Sequence, residues 1–143
     1  MASPLDVKLI LCDHAVTDSS SKVHMLGAGW DVTSTPTKPH GVAVLLKVPW
    51  DRANQQIPLT LDLIDADGNP ANTGSSDPIR VEGEVEVGRP PGMAPGSMIP
   101  AAFTVNVGPL KLAPGRYDWR LTIGDEHHHA EFQVVDKSGR SPR

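Results

Sequence analysis

Between Pro114 and Ile123 the chain runs Pro-Gly-Arg-Tyr-Asp-Trp-Arg-Leu-Thr-Ile, a turn followed by strict alternation. Successive side chains of an extended strand point to opposite faces, so Tyr117, Trp119, Leu121 and Ile123 fall on one side while Arg116, Asp118, Arg120 and Thr122 fall on the other. One face is packed and one is wet. That combination belongs to a sheet with solvent on one side, as in antiparallel folds.

The same period recurs along the chain. Residues 6–13 form a first strand with Val7, Leu9 and Leu11 on one face and Lys8, Ile10 and Cys12 on the other, so it reads as central or covered on both sides. Residues 22–32 form a second strand, with a bulge or close backbone approach at Gly27-Ala28-Gly29, and the two are expected to pair as a hairpin. Residues 41–48 make a third strand, and Pro49 to Asn54 a corner between sheets. Ile57 to Leu63 follow as a fourth, with Pro58 placed at its beginning or at an edge because proline has no N–H for the ladder. Residues 79–87 carry Glu82, Glu84 and Glu86 on one face, a row that discourages edge pairing. Residues 99–107, 115–123 and 130–134 complete about eight strands, and the tail 136–143 is polar and basic. Eight short strands without a helical period predict an all-β fold, a two-sheet antiparallel β-sandwich of immunoglobulin-like or C2-like type within 1–135, with a closed barrel as the alternative.

Composition narrows the function. The chain has 143 residues, enough for one domain around a single core. Its 14 prolines and 13 glycines punctuate the strands without forming a repeat. A net charge of −4, with 13 scattered Lys and Arg, argues against nucleic-acid binding. No run approaches the ~18 apolar residues of a membrane span, and the start Met-Ala-Ser-Pro lacks a secretory pattern, so a cytoplasmic location is expected. The single cysteine, Cys12, lies in an apolar run and reads as a small buried hydrophobe.

Few residues carry chemistry. His127, His128 and His129 offer imidazoles for Zn²⁺ or Ni²⁺, but on a strand His127 and His129 face one way and His128 the other, so a third ligand must come from elsewhere. Asp65-Ala66-Asp67-Gly68-Asn69 opens like a calcium loop yet lacks the later bidentate glutamate, which leaves a hairpin turn. Asp13 and His14 are adjacent and so face apart on a strand, and no Gly-x-Ser-x-Gly elbow or phosphate loop is present. The expectation is a non-enzymatic chain without a cofactor. Trp119 belongs to the core, while Trp30 and Trp50 are candidates for stacking a ligand such as a sugar. The loop from Arg89 to Met98 mixes stiff prolines with methionines, and Arg89, Pro90, Pro91, Met93 and Met98 are its candidate protein contacts.

The blocks Leu-Ile-Leu-Cys-Asp-His-Ala, Gly-Ala-Gly-Trp, Val-Pro-Trp-Asp, Gly-Arg-Pro-Pro-Gly and Pro-Gly-Arg-Tyr-Asp-Trp-Arg-Leu together resemble a family of small uncharacterised β-sandwich proteins from actinobacterial and phage genomes. The resemblance spans Leu5 to about Val135 and implies a compact β-domain, cytoplasmic or virion-associated, with no residue roles to transfer. The leading expectation is therefore a structural or protein-interaction module, such as an accessory component of a phage virion or another repeating assembly, with a protein partner or self-assembly. Carbohydrate binding through Trp30 or Trp50, and metal binding through the histidine run, are the alternatives.

Overall fold

The computed structural model describes residues 3–136. Its strands are β1 (Asp6–Cys12), β2 (His14–Thr17), β3 (Val23–Leu26), β4 (Val32–Ser34), β5 (His40–Val48), β6 (Ile57–Asp65), β7 (Arg80–Val85), β8 (Ile99–Val107), β9 (Gly115–Ile123) and β10 (Glu126–Val135). A 3-10 turn, Trp50–Arg52, follows β5 at the expected corner. The basic tail expected over 136–143 lies, from residue 137 on, outside the described residues.

Two sheets enclose the core. One has three strands in the order β1-β5-β8, the other five in the order β4-β10-β9-β6-β7, and β2-β3 form a separate hairpin. The fold is an all-β sandwich, not a closed barrel. Alternation puts Val42, Val44, Leu46 and Val48 of β5 against Leu59, Leu61 and Leu63 of β6, Trp119 and Leu121 of β9 and Phe132 of β10 in one buried cluster. Register stacks them across the large sheet, with Leu61 opposite Leu121 and Leu63 opposite Trp119. Each fully buried aliphatic or aromatic side chain there contributes roughly 1.5–3 kcal/mol from removal of apolar surface from water. Tyr117 sits with them and donates its hydroxyl to Ala113 O at 2.7 Å, which ties the β9 start to the preceding loop.

One polar group is built into this interior. His40 is 2% exposed, and its ring meets Trp30, Trp119 and Phe132 with centroids 5.6–5.9 Å away. Its Nε2 accepts from the Trp119 indole N–H at 3.1 Å, so the ring proton belongs on Nδ1, which faces Lys38 O at 3.3 Å. Burial pushes the His40 pKa down, and the backbone bond to Lys38 only partly opposes that.

Several sequence expectations change. The described residues form ten strands rather than about eight, and not all pairs are antiparallel, because β4 runs parallel to β10 with Gln133 opposite Val32. The strand expected over 22–32 is broken into β3 and β4, since Gly27 and Gly29 adopt positive φ of 60° and 94° between them. At Gly27 the close approach is real: a Cβ there would lie 2.1 Å from Asp13 Oδ2. The expected hairpin between strands one and two is also replaced. β1 pairs instead with β5, Leu9 opposite Val44, while a strand absent from the sequence reading, β2, pairs with β3. β1 is thus an edge and not central, although the expectation of cover on both sides holds for its Cys12 end. There Cys12 and Ala43 are fully buried beneath the β2-β3 hairpin, packed against its equally buried Ala15, with Ile10, Val23 and Met25 around them. Pro58 does lie at the start of its strand, and β7, with its glutamates, is a sheet edge.

Candidate functional site

Three stretches far apart in sequence meet at the end of the sandwich where β5 finishes. They are the segment before β1, the Pro49–Asp51 corner and the loop between β7 and β8. Together they surround an open hollow of about 720 Å³ floored by Pro4, Leu5, Pro49, Trp50 and Met98. The segment before β1 is fastened by Ser3 Oγ donating to Asp51 Oδ2 at 2.9 Å and by Arg52 Nη1 donating to Ser3 O at 3.1 Å. Leu5 N donates to Glu126 Oε2 at 3.0 Å, and that carboxylate also stands 3.7 Å from Arg52 Nη1. Arg52, only 8% exposed, is therefore the clamp between the chain start, the corner and β10.

The loop at this end is stiff for a readable reason. Pro91-Gly92 and Pro95-Gly96 each place proline second and a glycine of φ near +85° third in a four-residue turn. Met93 N closes the first turn on Pro90 O at 3.2 Å and Ser97 N closes the second on Ala94 O at 3.1 Å. These are successive turns of type II geometry. Arg89, just before them, lies over the Trp50 ring with its guanidinium carbon 4.7 Å from the centroid and donates from Nη2 to Trp50 O at 2.8 Å. Met98, just after them, is 39% exposed and lines the hollow.

The structure thus unites three of the sequence candidates, Trp50, Arg89 and Met98, and separates others from them. Pro90, Pro91 and Met93 form the first turn of the loop. Trp30 is at the opposite end of β5, half-buried and edge-on to His40 and Phe132. Its Nε1 is buried without a partner. Ser3, Leu5, Arg52 and Glu126, which shape the hollow, carried no pattern in the sequence, because their meeting depends on the return of β10 to the chain start.

The remaining candidates resolve locally. His127 and His129 share the outer face of β10, as alternation requires, but they lean toward different partners on β9, His127 Nδ1 to Thr122 Oγ1 at 3.2 Å and His129 Nδ1 to Asp118 Oδ2. His128 points the other way, to Glu126 Oε1 at 3.2 Å. Among the described residues no three His, Cys, Asp or Glu side chains are grouped to hold a metal ion. Asp65 makes a turn in which its Oδ1 accepts from Asp67 N at 2.9 Å and Asn69 N at 3.0 Å, so that carboxylate is spent on backbone. Cys12 is buried and its Sγ–H donates to Gly41 O at 3.6 Å; burial, helped by the Asp13 charge, raises its pKa, the reverse of what a reactive thiolate needs.

A model of related sequences matches residues 8–135. The chain belongs to a family of unknown function (DUF6941). The match covers every strand from Lys8 in β1 to the end of β10, so the hollow, whose Leu5 side lies just ahead of it, is framed mostly by the DUF6941 region. A search of curated proteins found no match.

Proposed function

We propose that this chain is a non-enzymatic protein-interaction module that holds a partner in the hollow beneath Trp50, serving as an accessory part of a phage particle or other repeating assembly, in the cytoplasm or on the particle itself. The observation that carries this reading is an apolar hollow lined by the Trp50 indole from the corner and by the exposed Met98 from the end of the loop, with the Arg89 guanidinium stacked on that indole. Tryptophan and arginine are the residue types on which binding energy concentrates, and a preformed loop loses little entropy when a partner docks. The particle role draws on the resemblance to actinobacterial and phage proteins. The sugar-stacking alternative draws less support, because a sugar needs a bare ring face and Arg89 already covers one face of Trp50.

The test is co-sedimentation of tagged chain with the particles or assemblies of its source, comparing wild type with Trp50→Ala and Met98→Ala. Loss of one central aromatic costs about 2 kcal/mol or more, or roughly 30-fold in affinity, so Trp50→Ala should leave the assembly fraction while Met98→Ala falls partway. Wild-type behaviour of both variants, or a wild-type chain that stays monomeric and never travels with an assembly, removes the proposal.

A further inference from the structure

On the outer face of the three-stranded sheet the β2-β3 hairpin covers only the Cys12 end. The remainder is an open groove of about 400 Å³ with Leu45, Ala102 and Val23 as its apolar floor and Lys8, Lys22 and Lys47 around it. Lys8 stands opposite Leu45 on the neighbouring strand, and Lys47 lies two residues along from Leu45 on the same face of β5, so these two flank one apolar position. Lys22 enters from the tip of the hairpin, ahead of Val23.

These lysines differ from four of the described arginines. Arg52, Arg80 and Arg116 have carboxylates within 4.0 Å, and Arg89 has the Trp50 ring. Lys8, Lys22 and Lys47 have no ion pair among the described residues, although Asp6 also lines the groove and the chain as a whole carries a charge of −4. Three unpaired cations around an apolar floor, with one carboxylate among them, favour an anionic occupant with a hydrophobic centre. The chain's own last residues do not meet that description, because Lys137-Ser-Gly-Arg-Ser-Pro-Arg143 is basic and would be repelled.

We propose that the groove is a docking site for an acidic segment of a partner protein, its carboxylates meeting Lys8, Lys22 and Lys47 and an apolar side chain lying on Leu45 and Ala102. Asp6 lines both this groove and the hollow beneath Trp50, so the surfaces are contiguous, but the inference stands on the lysines and their floor and not on the hollow.

The experiment uses fluorescein-labelled nonapeptides and anisotropy at low salt. One peptide has leucine at its centre among glutamates, a second has lysine for every glutamate, and a third has serine for the leucine. The acidic leucine peptide should bind about tenfold more tightly than the basic one, the size expected of three exposed ion pairs, and should weaken as salt is raised. The serine peptide should bind less well than its leucine twin. Lys8→Glu, Lys22→Glu and Lys47→Glu together should abolish the preference for acid; all three are exposed, and circular dichroism of the variant checks that the fold is kept. Trp50→Ala should bind the acidic peptide as wild type does, which separates failure here from failure of the hollow. Equal binding of acidic and basic peptides, or an acid preference that survives the triple substitution, overturns the proposal. So does self-association of wild type that disappears in Glu82→Lys with Glu84→Lys, since the occupant would then be a second copy of the chain.

Discussion

The outer faces of the two sheets solve the same problem in opposite ways. On the five-stranded sheet the outward residues form polar rows across the strands: His129, Arg120, Asp62 and Arg80 stand in one row, and His127, Thr122, Thr60 and Glu82 in the next. Arg80 grips Asp62 from both Nε and Nη2, at 2.7 and 3.4 Å. No layer covers that face among the described residues, and none is needed. On the three-stranded sheet the outward residues near one end are Cys12 and Ala43, both fully buried, and the β2-β3 hairpin lies over them. Small side chains let its backbone come close: a Cβ at Gly41 would stand 3.4 Å from Ala15 N and 2.5 Å from Asn106 Oδ1. A face written in charges stays bare, and a face written in alanine, cysteine and glycine calls for a third layer.

The largest expected effect breaks that contrast directly. Ala43→Asp places a carboxylate without a partner under the hairpin and should cost about 4 kcal/mol or more, read as a collapse of the urea midpoint with unchanged slope. Thr60→Lys, between Thr122 and Glu82 on the bare face, should stay within about 0.5 kcal/mol of wild type in the same titration. Equal losses at the two positions would show that the large sheet is covered as well.

Asn106 on β8 is one of the side chains that hold the hairpin over its face, Thr104 with its hydroxyl 3.4 Å from that of Thr17 being another, and it can be removed. Asn106 donates from Nδ2 to Ala15 O at 2.7 Å and accepts at Oδ1 from Ala15 N at 3.1 Å, a pairing that imitates a strand ladder between β8 and β2. Asn106→Ala leaves both backbone groups of Ala15 without protein partners and should cost about 1–3 kcal/mol. The sharper readout is Cys12. Labelling of this buried thiol by a maleimide should accelerate at least tenfold in Asn106→Ala under native conditions, because local opening of the hairpin becomes easier. An unchanged labelling rate would mean that the hairpin is held mainly by the packing of Ala15 and Met25.

These two faces also explain how far the sequence could be read. β9 was legible because one side of it meets water, which gives the alternation of Tyr117, Trp119, Leu121 and Ile123 its full contrast. β1 and β5 were recognisable as strands, but apolar residues on both faces conceal the register, so the partner of β1 was misassigned. β2 was missed because four residues, His14–Thr17, are too few to establish a period beside a broken strand. The loop from Arg89 to Met98 reads as stiff from its prolines, whereas the meeting of its Gly96 and Met98 with Ser3, Leu5 and Trp50 joins distant parts of the chain, which local pattern does not encode. The lysine-rimmed groove was invisible for the same reason, its cations coming from β1, the hairpin tip and β5.

Between the two faces, His40 offers the gentlest test. Its pKa in the folded chain is pushed down by burial while the unfolded chain has an ordinary histidine value of about 6.5. In the window below pH 6.5 and above the folded value, the unfolded chain binds more protons than the folded one, so stability rises with pH and is lost as pH falls. Above pH 6.5 this contribution is complete and flat. The slope from this one group cannot exceed about 1.4 kcal/mol per pH unit. Asp18, with a pKa lowered by its bond to His24, adds a pH dependence of its own further toward acid, so the quantity to measure is a difference. His40→Gln keeps an oxygen able to accept from Trp119 Nε1 but cannot take up a proton. Urea titrations of both proteins from pH 7.5 to 5 should converge on acidification, the wild type losing stability faster than His40→Gln. Parallel curves would mean that the His40 ring is wetter than its position among Trp30, Trp119 and Phe132 implies.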